Sequence, residues 1–139
     1  AAGNTILGIF QGVSWTASDG EVKFSRYWPG AQSGATNVSA LVIDDPYVTY
    51  SVFDDGDSDF LAAADIGTSA DHVAGSGSTV TGISAVKLDT DTASASQAGF
   101  KIIRKIDRPG NDFGTANGAQ VEVEVMVNEP FFSHNTAGI

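Results

Sequence analysis

His72 and His134 are the only imidazoles in the chain, and the residues around them bound the catalysis this sequence can support. A zinc site needs several His, Cys, Asp or Glu side chains at short defined spacings, and neither histidine belongs to such a set. There is no cysteine, which excludes thiolate ligands, thiol nucleophiles and disulfides together. Asp71-His72 with Ser76 nearby supplies the residue types of an acyl-transfer triad, yet no Gly-x-Ser-x-Gly elbow is present to hold the serine. Gly75-Ser76-Gly77-Ser78-Thr79-Val80 lacks the third glycine of a dinucleotide loop and reads as a flexible linker. Asp55, Asp57 and Asp59 alternate like the start of a calcium loop. The match fails at Phe60, where the sharp-turn glycine belongs, and at Ile66, where the bidentate Glu belongs, which leaves an acidic surface turn. Asp44 and Asp45 sit in a turn before Pro46, with nothing to bring them across a glycosidic bond. The expectation is a protein with no catalytic, metal-binding or cofactor-binding residues, hence not an enzyme.

Binding is better provided for. Phe24-Ser25-Arg26-Tyr27-Trp28-Pro29-Gly30-Ala31 ends a strand-like run with two large aromatics, a cation and an abrupt turn. Tyr27 and Trp28 each carry an apolar body and a polar tip, so fixed by Pro and Gly they either anchor a core corner or meet a partner. Four of the seven basic residues, Lys101, Arg104, Lys105 and Arg108, fall in one strand and its following turn. Regular alternation puts Lys101 and Lys105 on one face and Arg104 on the other: a solvated strand end, or in the sharper reading a docking patch for an acidic surface. Met126, on the glutamate face of the last strand, is an apolar group easier to explain at an interface, and Phe131 and Phe132, just beyond it, pack either on a neighbouring subunit or capsid or against their own domain.

The elements that must position these residues are mostly strands. Val121-Glu122-Val123-Glu124-Val125-Met126-Val127 has four valines on one face and Glu, Glu and Met on the other. Gly12 to Ala17 and Glu21 to Tyr27 read as a hairpin through Ser18-Asp19-Gly20. Val38 to Ile43 and Tyr47 to Phe53 flank the Asp44-Asp45-Pro46 turn, and Ile83 to Leu88 and Gly99 to Ile106 add two strands before the Arg108-Pro109-Gly110-Asn111 turn. Ser58 to Ile66 is the one helical candidate, capped by Ser58 and stopped by Gly67. The stretches 67–82 and 89–99 are Gly-rich and polar and read as loops. The fold class is a single-domain antiparallel β-sandwich or β-barrel with long Gly/Ser-rich loops and at most one short helix. It spans 1–129, with 130–139 as a C-terminal tail or arm, because Pro130 cannot extend the last strand's ladder.

At 139 residues, with 17 acidic and 7 basic side chains and a net charge of −10, the chain can bury a sizeable core and repels phosphates and anionic membranes. No nucleic-acid or membrane partner is expected. The longest apolar runs, such as Leu61 to Ala64, are far too short for a bilayer-spanning helix, and Ala1-Ala2-Gly3-Asn4 lacks the basic start and apolar middle of a signal peptide.

The order Ile6-Leu7-Gly8-Ile9-Phe10 with Val13-Ser14-Trp15, then Tyr27-Trp28-Pro29-Gly30, then Asp44-Asp45-Pro46, resembles the small capsid decoration (cement) proteins of tailed bacteriophages. The second half is similar to them through Ala64-Asp65-Ile66-Gly67, the run from Gly75 to Gly82, Lys87-Leu88-Asp89, the run from Asp107 to Gly114, and Val125-Met126-Val127-Asn128-Glu129. The resemblance covers about Ile6 to Glu129 and implies a virion structural protein on the outer surface of the icosahedral head. There it would bind the major capsid protein, usually as a homotrimer, and reinforce the joints between hexamers. It implies no catalysis, and it transfers no site residues. The chain departs from the pattern at Pro130-Phe131-Phe132. The alternative is a carbohydrate-binding, lectin-like β-sandwich in which Trp15, Tyr27 and Trp28 stack on sugar rings.

Overall fold

In the computed structural model, residues 6–94, 98–114 and 118–128 are described. The proposed tail 130–139, with Phe131, Phe132 and His134, lies outside them. Eight strands run in the order β1 (Ile9–Thr16), β2 (Val22–Ser25), β3 (Thr36–Ile43), β4 (Thr49–Phe53), β5 (Ser69–Val73), β6 (Lys87–Ser94), β7 (Phe100–Lys105) and β8 (Glu122–Val127). They form two antiparallel sheets, β2-β1-β3 and β4-β8-β7-β5-β6. The fold is mostly β, as the alternation of the sequence demands.

The larger sheet holds the core because its strands alternate most strictly. Val123, Val125 and Val127 point inward from β8 and meet Leu61, Leu88, Phe100, Ile102 and Val121, while Glu122, Glu124 and Met126 point away. Each fully buried side chain of this size contributes about 1.5–3 kcal/mol relative to leaving it in water. Its two outer strands approach each other at a parallel bridge between Asp54 and Leu88, where the Asp55 amide donates to the Leu88 carbonyl at 3.0 Å, so this sheet curls toward a barrel.

The smaller sheet begins with the expected hairpin. Its turn is three residues with a bulge: the Gly20 amide donates to the Ala17 carbonyl at 2.9 Å, the Ala17 amide to the Glu21 carbonyl at 2.8 Å, and Gly20 takes φ +86°. The Asp44-Asp45-Pro46 turn passes the chain from one sheet to the other, since β3 pairs with β1 and β4 with β8.

Several expectations are corrected. The helix over Ser58 to Ile66 reduces to a single 3-10 turn, Ala63–Asp65. The Asp65 carboxylate accepts from the Ala62 amide at 2.7 Å, and so short a segment cannot offset the cost of helix nucleation. Strand β5 lies inside the stretch read as loop, and β6 starts at Lys87 and runs through Ser94, where the sequence suggests Ile83 to Leu88. Outermost β6 is rich in Asp and Thr because only alternate positions turn inward: Leu88 and Thr90 are buried, and the Thr90 hydroxyl donates to the Asp59 carbonyl at 2.6 Å. The Gly/Ser loop is no free linker. The Gly75 amide donates to the Ala85 carbonyl and the Ser78 amide to the Ile83 carbonyl, and Ser78 Oγ accepts from the Val80 and Thr81 amides.

Candidate functional site

Arg26, Tyr27 and Trp28, from the aromatic stretch after β2, become one wall of a groove between the two sheets. The groove has a volume of about 870 Å³, within the range of small-molecule sites. Phe10, Arg26, Tyr27 and Trp28 face it from the smaller sheet and its following turn, His72 and Phe100 from the larger one, and Ser78, Thr79, Ile83 and Ser84 from the loop between β5 and β6. Trp28 is held by Trp15, whose ring meets it edge-on at 5.6 Å and 77°. Trp15 is itself buried, which removes it from the candidate stacking residues and makes it the support for Trp28. Tyr27 rests against Gly82 of the loop. The pair thus serves both purposes weighed from sequence: one side anchors a corner, and the other lines an open groove.

His72 stacks edge-on with Phe100 at 5.9 Å, and its Nδ1 is buried without a hydrogen-bond partner among the described residues. Asp71, next to it in the strand, accepts the Gly99 amide through Oδ1 at 3.1 Å. The triad suggested by Asp71, His72 and Ser76 is therefore not assembled: the Asp71 carboxylate is bonded to the Gly99 amide, and His72 Nδ1 has no partner among the described residues.

The acidic loop is held by its own hydrogen bonds. Asp57 Oδ1 accepts from the Asp59 amide at 2.9 Å and the Asp59 carbonyl from the Thr90 hydroxyl at 2.6 Å, and among the described residues no three acidic or His side chains converge as a metal site would need. Asp54 is buried and bonded to the Val121 amide at 2.9 Å. Burial, reinforced by Asp55 and Asp57, raises its pKa above the ordinary carboxylate value despite that bond and nearby Lys87. Asp57 in turn raises the pKa of exposed Asp91, with desolvation and Asp59, Asp89 and Asp55 adding to it.

The basic cluster is arranged differently from regular alternation. A bulge between Ile102 and Arg104 puts Lys101 opposite Met126 and Arg104 opposite Glu124, so Lys101 and Arg104 share the glutamate face of β8. Arg104 is ion-paired with Glu124, and Arg108 with Glu122 at 2.6 Å, while the Arg108 guanidinium lies 5.5 Å from the centre of the Phe53 ring. Lys105 donates to the Asn111 carbonyl at 2.6 Å. Met126 is half-buried among these neighbours and is not the freely exposed group its alternation suggests.

The feature that sequence reasoning missed is the outer face of the smaller sheet. Val13 and Trp15 turn inward; Val22 stands opposite Thr16, Phe24 opposite Ser14 and Leu41 opposite Gly12, which places all three on the other face. Phe24 is 75% exposed, and Val22 and Leu41 are each 58% exposed. The signal was present in the alternation of Val22-Lys23-Phe24-Ser25, but alternation cannot say which face is covered. Comparison with protein-family models, with curated proteins and with solved structures finds no match for this chain.

Proposed function

We propose that this protein is a non-enzymatic virion structural protein that docks on the outer surface of a tailed-phage head and stabilises the major capsid protein lattice. The observation that carries the reading is the uncovered face of the smaller sheet, where Val22, Phe24 and Leu41 stand exposed around Gly12, Ser14 and Thr16, since large apolar groups left exposed together on one face and rimmed by polar residues mark a surface that can take a partner. Charge supports it: through Ile43, Asp19 and Glu21 balance Lys23 and Arg26, so the net −10 of the chain falls on the remainder and the apolar face lies in a neutral region. Depletion of charge is the mark of an interface core. The sequence resemblance to decoration proteins supplies the partner and the homotrimeric state.

Incubating the protein with purified expanded heads and pelleting them tests this, with mass spectrometry of virions against infected-cell lysate as the parallel measurement. Stoichiometric co-sedimentation that Phe24→Ser with Leu41→Ser abolishes is the expected result. Absence from virions, or binding that the double variant leaves intact, overturns the assignment of this face. Light scattering, together with density on the shell, reports whether the unit is a trimer.

A second reading, carbohydrate binding, is favoured by the groove, where Tyr27 and Trp28 are already fixed and Thr79 and Ser84 offer hydroxyls. The two readings use different surfaces, so one protein can satisfy both.

A further inference from the structure

We infer that the groove takes an acidic saccharide carrying a single carboxylate, with the sugar face against Trp28 and Tyr27 and the carboxylate on Arg26. This rests on the carbohydrate reading of the groove and adds the charge of the ligand. In a chain with 17 acidic residues, the described residues lining this groove include no Asp or Glu, and they do include a cation. Arg26 is exposed and forms no ion pair among the described residues, whereas Arg104 and Arg108 are each paired in the adjoining sheet. An unpaired guanidinium beside aromatic rings in a groove free of carboxylates is complementary to an anion with an apolar face, and a guanidinium binds a carboxylate in bidentate fashion.

The remaining chemistry narrows the class. A nucleotide or other phosphate ester would want a cradle of free amides or several cations. Here the Ser78 and Gly82 amides are already used, donating to the Ile83 and Ser78 carbonyls, as are the Val80 and Thr81 amides, which donate to Ser78 Oγ, and Arg26 is the one Lys or Arg among the described lining residues. One cation suits one carboxylate, and the net charge of −10 opposes polyanions. The Thr79 and Ser84 hydroxyls are placed to exchange hydrogen bonds with sugar hydroxyls. His72 Nδ1, buried and without a partner, is a further polar atom on the larger sheet's side.

The test is an array of glucuronate-terminated, galacturonate-terminated and sialyl-lactose glycans beside their methyl esters and neutral parents, followed by titration of the best glycan with intrinsic tryptophan fluorescence as readout. Selective binding of the acids, weakened by added salt and lost about tenfold or more in Arg26→Gln but not in Arg108→Gln, is the expected result. Arg26 is exposed, so this variant folds, and circular dichroism checks that it does. Equal binding of acids and their neutral parents, unchanged in Arg26→Gln, overturns the inference while leaving a carbohydrate site. No binding by any glycan overturns both.

Discussion

Tyr27 lies against the bare α-carbon of Gly82: a Cβ added there would come within 2.5 Å of Tyr27 Cδ1. Gly82 also adopts φ +70°, so two independent constraints keep this position glycine. The loop can close one end of the groove only because it carries no side chain at this point.

Gly82→Ala is accordingly expected to cost more than its backbone conformation alone. Gly20 has a similar positive φ of +86° and nothing within 4 Å of the added carbon, so Gly20→Ala should cost only the left-handed penalty of about 1–2 kcal/mol. Chemical denaturation of both variants isolates the steric part as their difference. Equal losses would mean that the Tyr27 contact is unimportant to stability.

How much of this was legible in the sequence depended on whether alternation continued unbroken. Strand β8 could be read residue by residue because its valines face a core and its glutamates face out. The first hairpin was marked by Asp19-Gly20. Strands β5 and β6 were missed because Ser69–Val73 has too little alternation and Lys87–Ser94 is polar at its outward positions, as an outermost strand can be. The faces of Lys101 and Arg104 were misjudged for a different reason: one bulge after Ile102 inverts the parity of everything that follows it. The groove's aromatic wall was visible as Tyr27-Trp28. Its opposite wall was not, since it depends on hydrogen bonds between Gly75 and Ala85 and between Ser78 and Ile83 that no local pattern announces.

The two apolar surfaces should separate by mutation. Ile102 is fully buried on β7, opposite Val125 of β8, and Ile102→Ala is expected to destabilise by about 2–5 kcal/mol. Phe24→Ser is expected to change stability by less than about 0.5 kcal/mol, because the side chain is already in water, while reducing association with heads. Urea denaturation and co-sedimentation read the two effects. A large loss of stability in Phe24→Ser would show that this face is covered within the protein itself.

Asp54 gives a pH dependence of definite sign. Its folded pKa is raised, chiefly by burial, so the native state favours the protonated form. The contribution to stability is complete below the unfolded pKa and is lost as pH rises through the folded value. At neutral pH the buried charge is therefore a liability. Asp54→Asn keeps an oxygen for the Val121 amide and turns an NH₂ group toward the field of Asp55 and Asp57. It should raise Tm at pH 7 by a few degrees, at about 2–4 °C per kcal/mol for a chain of this size. The gain should shrink as pH falls into the acid range where wild-type Asp54 protonates. A variant less stable than wild type at pH 7, or a gain that grows on acidification, would contradict the assignment.

Arg104 and Arg108 present the last case, in which pairing within the sheet changes what a docking test means. The Thr49 hydroxyl and then Arg104 hold the Glu124 carboxyl below its usual pKa. Glu122 is bound by Arg108 and by the Ser51 hydroxyl, the latter at 2.6 Å. Reversing both arginines to Glu would set a like charge directly opposite Glu124 across β7 and β8 and bring another beside Glu122, so weakened attachment of that variant to heads could follow from a damaged sheet. Arg104→Gln with Arg108→Gln removes the cations without creating that repulsion. Because both arginines are at least half exposed, each lost pair is expected to cost less than about 1 kcal/mol, and the cost should fall as salt screens the pairs in wild type. If this face meets an acidic capsid surface, the glutamine double variant loses occupancy at low salt while its melting curve stays nearly unchanged. Full occupancy at both low and high salt assigns the two arginines to the sheet alone and leaves Val22, Phe24 and Leu41 as the docking face.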